Sequence, residues 1–460
     1  MRENIVQYLY IAAGLSFIFS IKWMTAPTTA RRGVVAGEIG MVLAVVGTFV
    51  RPEVTQFTWI IVGLMAGAAI GVPLAAFVPM TAMPQRTALS HAFGATAATL
   101  VGVAEYLLRQ PHLDRFTMVV LGIEVLLGGL TVTGSLMAFA KLQELIRGRP
   151  IVYRGQNVVN LSILAIALGG IVWLAIDPSM GIVFAVVVAA AVTFGVLLIV
   201  PIGGADMPTV IALLNSYAGL SAVAMGFALD NKVLEIAGAL DGSSGFVLAV
   251  VMSRAMNRNF RNILFGAFGQ VTMSTRDSEA DDRPVRSGNS VDGAAILDGA
   301  RLVVIVPGYG MAVAQAQHKV RELSDALERN GTQVRFAIHP VAGRMPGHMN
   351  VLLAEADVPY DHMVELEEAN ELLSRADVAI VIGANDVTNP AAKNEPGSPV
   401  YGMPILDVDR AGSVLVVKRS MGPGFAGIGN ELYYLTNTTM LFGDAKQVVG
   451  SLVNDLGDSR

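Results

Sequence analysis

The sequence predicts a polytopic α-helical membrane domain of about nine transmembrane helices, followed by an α/β domain built on a parallel sheet. Three observations predict it. Hydrophobic residues make up 53% of the 460 positions and charged residues only 15%, whereas soluble proteins carry about 25% charged residues. The charges are unevenly spread, with 25 Asp, Glu, Lys and Arg residues in positions 1–252 and 44 in positions 253–460. In the second part, short β-branched runs alternate with helical stretches, as in strands joined by crossover helices.

Apolar runs long enough to cross a hydrocarbon core, roughly 17–25 residues, fall at Ile5–Ile21, Val34–Val50, Thr58–Val78, Ala88–Leu108, Phe116–Ala140, Val158–Ile176, Gly181–Ile202, Pro208–Leu229 and Val233–Met252. The first is short, and the last carries Glu235 and Asp241. Ile5–Ile21 runs on into further apolar segments, so it reads as a first span and not as a cleavable leader. An odd number of spans puts the termini on opposite sides. With the C-terminal domain in the cytoplasm, the loops on that side hold eleven basic residues: Lys22, Arg31, Arg32, Arg86, Lys141, Arg147, Arg149, Arg154, Arg254, Arg258 and Arg261. The other side holds five, Arg2, Arg51, Arg109, Arg115 and Lys232, which agrees with the excess of positive charge expected inside. Gly63, Gly67 and Gly71 form two overlapping GxxxG steps and read as helix packing within the bundle.

The chain has no cysteine, which excludes disulfides, thiolate metal sites and a cysteine nucleophile, and with them cysteine-ligated iron–sulfur clusters. A net charge of −5 gives no reason to expect nucleic acid as a partner.

Charge at bilayer depth costs about 2.5–3.5 kcal/mol by insertion scales, so ionisable residues there are functional candidates. His91 is the one histidine inside a predicted span. Imidazole takes and releases a proton near neutral pH, and the alternative is a neutral histidine hydrogen-bonded between helices. Glu124, Ser135 and Asn215 come next. An Asn can orient a histidine through its amide but cannot carry a proton, and it serves equally as interhelical glue. Asp206 stands at a predicted helix start just ahead of Pro208, where it also fits an N-terminal cap.

The membrane domain is expected to cover 1–262. Residues 263–290 read as a flexible linker, rich in charge between Arg276 and Asn289. The α/β domain follows at 291–460. Strands are expected at Arg301–Val306, Val334–Ile338, Val378–Ile382 and Val414–Lys418, with a helix from Met311 to Arg329. The first strand leads into Pro307-Gly308-Tyr309-Gly310-Met311-Ala312-Val313. Between a strand and a helix, such glycines permit a tight turn and bring a pyrophosphate to the helix N-terminus, as in a Rossmann-like domain. Val313 occupies the place of the usual third small residue, so a loop without ligand stays open as an alternative. The second strand ends in Ile338-His339-Pro340, with no acid to grip a free ribose 2′-hydroxyl. Lys418-Arg419-Ser420 closes a later strand with two cations, suited to a 2′-phosphate, although a solvated basic pair has the same composition. NADP in preference to NAD is the inference.

Over nearly its whole length the chain resembles the β subunits of proton-translocating nicotinamide nucleotide transhydrogenases. The most specific stretches are Gly203–Gly219 (GGADMPTVIALLNSYAG), Pro307–Gln317 (PGYGMAVAQAQ), His339–Glu355 (HPVAGRMPGHMNVLLAE), Gly383–Asp386, Lys418–Met421 and Gly443-Asp444-Ala445. The resemblance implies an NADP(H) site that includes Tyr309 and the loop Val341, Ala342, Gly343, Arg344, Met345 and Pro346. It adds Gly383, Ala384, Asn385, Asp386 and Val387, then Gly402 and Met403. Lys418, Arg419, Ser420, Met421, Gly422, Pro423, Gly424 and Phe425 follow, with Asp444 and Ala445. It also implies that His91 and Asn215 form the proton-channel pair, with Asp206 at its cytoplasmic mouth. Phe425 stands where many relatives have tyrosine, and Ala92-Phe93-Gly94-Ala95 differs from some of them.

The implied activity couples hydride transfer between NAD(H) on a partner α subunit and NADP(H) bound here to proton movement across a bacterial inner membrane. A homodimer of the αβ unit is implied as well. The alternative is an NADP(H)-regulated transporter or channel without redox chemistry, since intramembrane His and Asn occur in transporters of many kinds. An NADPH-linked quinone reductase lacks any visible flavin or haem site.

Overall fold

The computed structural model describes residues 2–146, 150–203, 206–257, 283–398, 400–424 and 426–458. Among these, nine helices are long and apolar enough to span a membrane: α1 (Arg2–Met24), α2 (Pro27–Val50), α3 (Phe57–Phe77), α4 (Met83–Arg109), α5 (Arg115–Leu142), α6 (Gln156–Ile176), α7 (Gly181–Ile199), α8 (Met207–Ala228) and α9 (Lys232–Ala255). Each overlays one expected apolar run, with ends that differ by a few residues, and two of them start on side-chain caps. Asp114 accepts from the Phe116 and Thr117 amides to start α5. Asn231 does the same for Val233 and Leu234 at the start of α9, the span that its acidic residues weakened in sequence. These bonds satisfy amides that have no partner inside the helix.

The central helix is α5, which packs against α4, α6, α7 and α8 and buries Leu121, Val125, Leu130 and Ala138. Its buried Lys141 donates to the carbonyls of Ile199, Val200 and Ile202 at 3.1, 2.6 and 2.7 Å, capping the end of α7 from a neighbouring helix. Helices α8 and α9 cross closely. A Cβ on Gly226 would lie 2.7 Å from the Glu235 backbone nitrogen, and one on Gly238 would lie 2.7 Å from the Gly219 carbonyl. The glycine steps of α3, expected to pack within the bundle, do not. Among the described residues nothing stands within 4 Å of a Cβ placed on Gly63, Gly67 or Gly71, and α3 buries no residue. The pattern marks a helix able to pack, and among the described residues α3 has no helix beside that face.

The C-terminal domain is a seven-stranded sheet in which every pairing is parallel. In chain order the strands are β1 (Ser287–Gly288), β2 (Leu302–Pro307), β3 (Gln333–Ala337), β4 (Met363–Val364), β5 (Val378–Ile382), β6 (Ser413–Lys418) and β7 (Thr438–Phe442). Their spatial order is β1-β7-β6-β5-β2-β3-β4. Alternate residues feed two cores, Val303 and Ile305 on one face and Val304 and Val306 on the other. Four strands match the expected runs to within a residue or so. Short edge strands β1 and β4 are too brief to show periodicity, and the Thr-Thr start of β7 lacks the long β-branched run of its neighbours.

One expectation for this domain is corrected. The helix expected from Met311 to Arg329 is two, Tyr309–Val313 and Gln317–Arg329. Gln315 between them adopts a left-handed conformation, φ 49°, which turns the chain and buries Ala316. Of the linker expected at 263–290, residues 263–282 lie outside the described residues, as do Arg147, Arg149, Arg258 and Arg261. Ser287 and Gly288 pair with Met440 and Leu441, and Asn289 forms a capping box with Asp292.

Candidate functional site

From β2 the chain proceeds outward to β3 and β4, and from β5 it proceeds the other way to β6 and β7. The carboxyl ends of β2 and β5 therefore flank a switch point, where parallel sheets open a crevice. Glycines fill it. The Gly308 amide donates to the Ile382 carbonyl and the Gly310 amide to the Gly383 carbonyl, both at 2.9 Å. A Cβ on Gly310 would stand 2.7 Å from the Gly383 Cα, and Gly383 has φ +65°. Only glycine fits both demands.

Above these turns lies a cavity of about 520 Å³, within the range of small-ligand sites. Its wall takes Gly308, Tyr309, Gly310 and Val313 from the turn after β2, and Val341, Ala342 and Gly343 from the loop after β3. Gly383, Ala384, Asn385, Asp386 and Val387 follow β5. Lys418, Arg419, Ser420, Gly422, Pro423 and Gly424 follow β6. Ala445 and Met403 are the remaining expected residues on the wall. Asp206, just before α8, and Met256, just after α9, also line it, so the membrane domain closes one side of the C-terminal domain's cavity.

Hydrogen bonds set the shape of these loops. Asn385 Oδ1 accepts from the Tyr433 hydroxyl at 2.8 Å and from Asn430 Nδ2 at 3.0 Å, and Asp386 Oδ2 accepts from the Ala426 amide at 2.9 Å. Together they fold the segment after β6 back over the segment after β5. Lys418 Nζ donates to the Gly422 carbonyl and lies 5.1 Å over the Tyr433 ring. Burial pushes the Lys418 ammonium below its usual range, partly offset by the Asp386 charge. Arg419 donates to Asp444 at 2.7 Å, and this bond holds the Asp444 carboxyl below its ordinary value.

Two buried histidines support the loop after β3. His339 Nε2 bonds the Pro404 carbonyl at 2.8 Å, and its Nδ1 accepts from the Val341 amide at 3.2 Å. A carbonyl only accepts, so the proton is on Nε2. His348 Nδ1 accepts from the Arg344 amide at 3.1 Å, which again leaves the proton on Nε2. That nitrogen faces the Thr81 backbone in the Met80–Ala82 turn leading into α4, although the approach lacks the geometry of a formed hydrogen bond. Burial pushes both imidazoles down to about 4. Just past the end of α9, Asn257 Nδ2 donates to the Tyr401 carbonyl at 2.8 Å.

In the bundle, the His91 ring on α4 lies against the Asn215 side chain on α8, and its Nδ1 is buried. Asn215 Nδ2 donates to Asp241 Oδ1 on α9 at 3.0 Å. Glu124 and Ser135 on α5 are fully buried.

Residues 6–455 match the family described as NAD(P) transhydrogenase beta subunit. The chain belongs to that family. Two relatives described as NAD(P) transhydrogenase subunit beta, one from Rhodospirillum rubrum and one from a named strain of that species, are each 47% identical over 461 residues. The match covers 98% of this chain and 99% of theirs. As a transhydrogenase β subunit the chain is an integral membrane protein and part of an enzyme of nicotinamide nucleotides, with an α subunit as partner. A regulated transporter without redox chemistry is not favoured, because the match spans both domains.

Of the other transhydrogenase site residues expected from sequence, Arg344 is buried and stacks over Tyr309. Met311 and Ala312 sit in the core behind the glycine turn, and Met421 packs on the opposite core. Met345 and Pro346 continue the loop toward His348 without reaching the cavity wall. Gly402, φ +76°, lies against Asn257, and Asp444 stands behind Arg419. Phe425 lies outside the described residues. Sequence reasoning missed Met256, Val400, Val417, Ala426 and Gly443 on the wall. The glycine of Gly443-Asp444 was a visible signal, whereas Met256 becomes a neighbour only through tertiary packing.

Proposed function

We propose that this β subunit binds NADP(H) in the cavity at the β2–β5 switch point and that the α subunit presents NAD(H) to it. The chemistry supplied by the bound nucleotides is hydride transfer between their nicotinamides. The chain's own residues bind, orient and exclude water. The glycine turns at Gly308, Gly310 and Gly383 admit a pyrophosphate against backbone amides. Lys418 and Arg419 offer two cations at the rim for a 2′-phosphate, and Asp444 orients the second of them.

Proton movement is assigned to His91 with Asn215, and the observation that carries the coupling is the shared wall. Asp206 and Met256, at the cavity-side ends of α8 and α9, line the nucleotide cavity, and α8 also bears Asn215. A change in His91 charge that shifts these helices alters the cavity, and nucleotide binding acts back on the helices by linkage. A proton crossing about 100 mV releases roughly 2.3 kcal/mol, close to a fifty-fold change in an equilibrium. The orientation follows the basic loops, with the C-terminal domain cytoplasmic in a bacterial inner membrane and the αβ unit paired as a homodimer.

The test is NADPH formation from NADH in membranes that contain both subunits, with and without an uncoupler. A marked slowing on uncoupling is expected, together with almost no turnover for this chain alone. Uncoupler-independent turnover at full rate would remove the proton assignment.

A further inference from the structure

Asp241 is the tenth residue of α9, which spans Lys232–Ala255, so its carboxylate lies well inside the bilayer. It is exposed on the surface of this chain, yet a carboxylate facing hydrocarbon is costly. Its polar contacts say what it serves. The glycine-lined α8–α9 crossing brings it there: a Cβ at Gly245 would stand 2.8 Å from Asn215 Nδ2, so only a bare backbone lets the two helices close around the Asn215 side chain. Asn215 Nδ2 then donates to Asp241 Oδ1 at 3.0 Å and to the Asp241 carbonyl at 3.3 Å.

Both of those partners are acceptors only, so the amide nitrogen must face α9. That leaves the amide oxygen available to the His91 ring, which lies against the Asn215 side chain. We infer that Asp241 is a positioning residue of the proton site, holding the Asn215 amide with its oxygen toward His91 so that it receives an imidazole N–H and favours the protonated ring. The step it supports is simple: one proton joins the imidazole, makes it a cation, and leaves again from nitrogen. Asn215 is oriented throughout and takes no proton.

Other charged groups stand apart from this trio. Lys22 on α1, Arg86 and Glu105 on α4, and Lys141 on α5 lie toward helix ends, as do Lys232 and Glu235 on α9. Glu124 on α5 contacts α4 at Gly102, about three helical turns from His91. Tyr217 is two residues beyond Asn215 and so projects from another side of α8.

The inference rests on His91 being the proton carrier, and the experiment separates the two. Coupled αβ complex in vesicles is assayed from acid to alkaline pH as wild type, Asp241→Asn, Asp241→Ser and Asp241→Glu, with NADPH affinity measured on the same membranes. The expected result is an alkaline limb of the activity profile moved down by about one pH unit in the Asn and Ser variants. That is about a tenfold loss of rate at alkaline pH, with near-normal rate in acid and unchanged NADPH affinity. Asp241→Glu restores most of the profile. Profiles that superimpose on wild type, or a uniform loss at all pH values that Glu does not rescue, would overturn the role of Asp241 alone. A wild type indifferent to a proton gradient would instead sink the His91 assignment, and this inference with it.

Discussion

The guanidinium of Arg344 lies over the ring of Tyr309, with Cζ 4.2 Å from the centroid. Tyr309 lines the cavity above the glycine turns and follows the first glycine of the turn after β2, while Arg344 belongs to the loop after β3. The contact therefore joins the two loops on one side of the cavity. A partly desolvated cation–π contact is worth about 1–2 kcal/mol. Arg344→Gln is expected to weaken NADPH binding roughly 5- to 30-fold by that magnitude, read by titration of the full complex, while the α subunit's NADH site is unaffected.

Replacing Lys418 and Arg419 together by Ala is expected to erode the preference for NADP over NAD by about two orders of magnitude, since two charge-assisted contacts to a phosphate are lost. Asp444→Asn should produce a smaller loss in the same direction by freeing Arg419. Unchanged selectivity in the double variant would place the 2′-phosphate elsewhere.

The two buried histidines make stability depend on pH. In the folded chain both sit at about 4, against about 6.5 for an unperturbed histidine. The folded state thus favours the neutral rings, and their contribution is complete above about pH 6.5. It is lost as pH falls from there toward 4, by about 1.4 kcal/mol per pH unit for each ring. Thermal unfolding of the detergent-solubilised chain should show a falling transition temperature across that window, and His339→Gln should reduce the slope by about half.

Lys141 holds three carbonyls at the end of α7. Lys141→Met keeps the volume and deletes the donors, leaving buried acceptors without partners. A loss of about 2–3 kcal/mol is expected, seen as a lower inactivation temperature, with the nucleotide affinity of the surviving fraction unchanged.

The membrane spans were legible because an apolar run is a one-dimensional signal: bilayer thickness alone dictates its length. Strands β2, β3, β5 and β6 were legible for a similar reason, since strands buried on both faces read as continuous β-branched runs. The break at Gln315 and the edge strands β1 and β4 were not, because a single left-handed residue or two paired residues leave no period to detect.

Residue types set out which groups can act: an imidazole, an amide and a carboxylate at bilayer depth, glycines at a strand end, and two adjacent cations. Tertiary structure alone decided who meets whom. It put Asp241 behind Asn215, His348 beside Thr81, and Asp206 and Met256 on the cavity wall, all through pairs far apart in sequence. Such contacts depend on the crossing of α8 with α9 and on the seating of one domain against the other. Those are set by the packing of whole surfaces, and no local stretch of sequence encodes them.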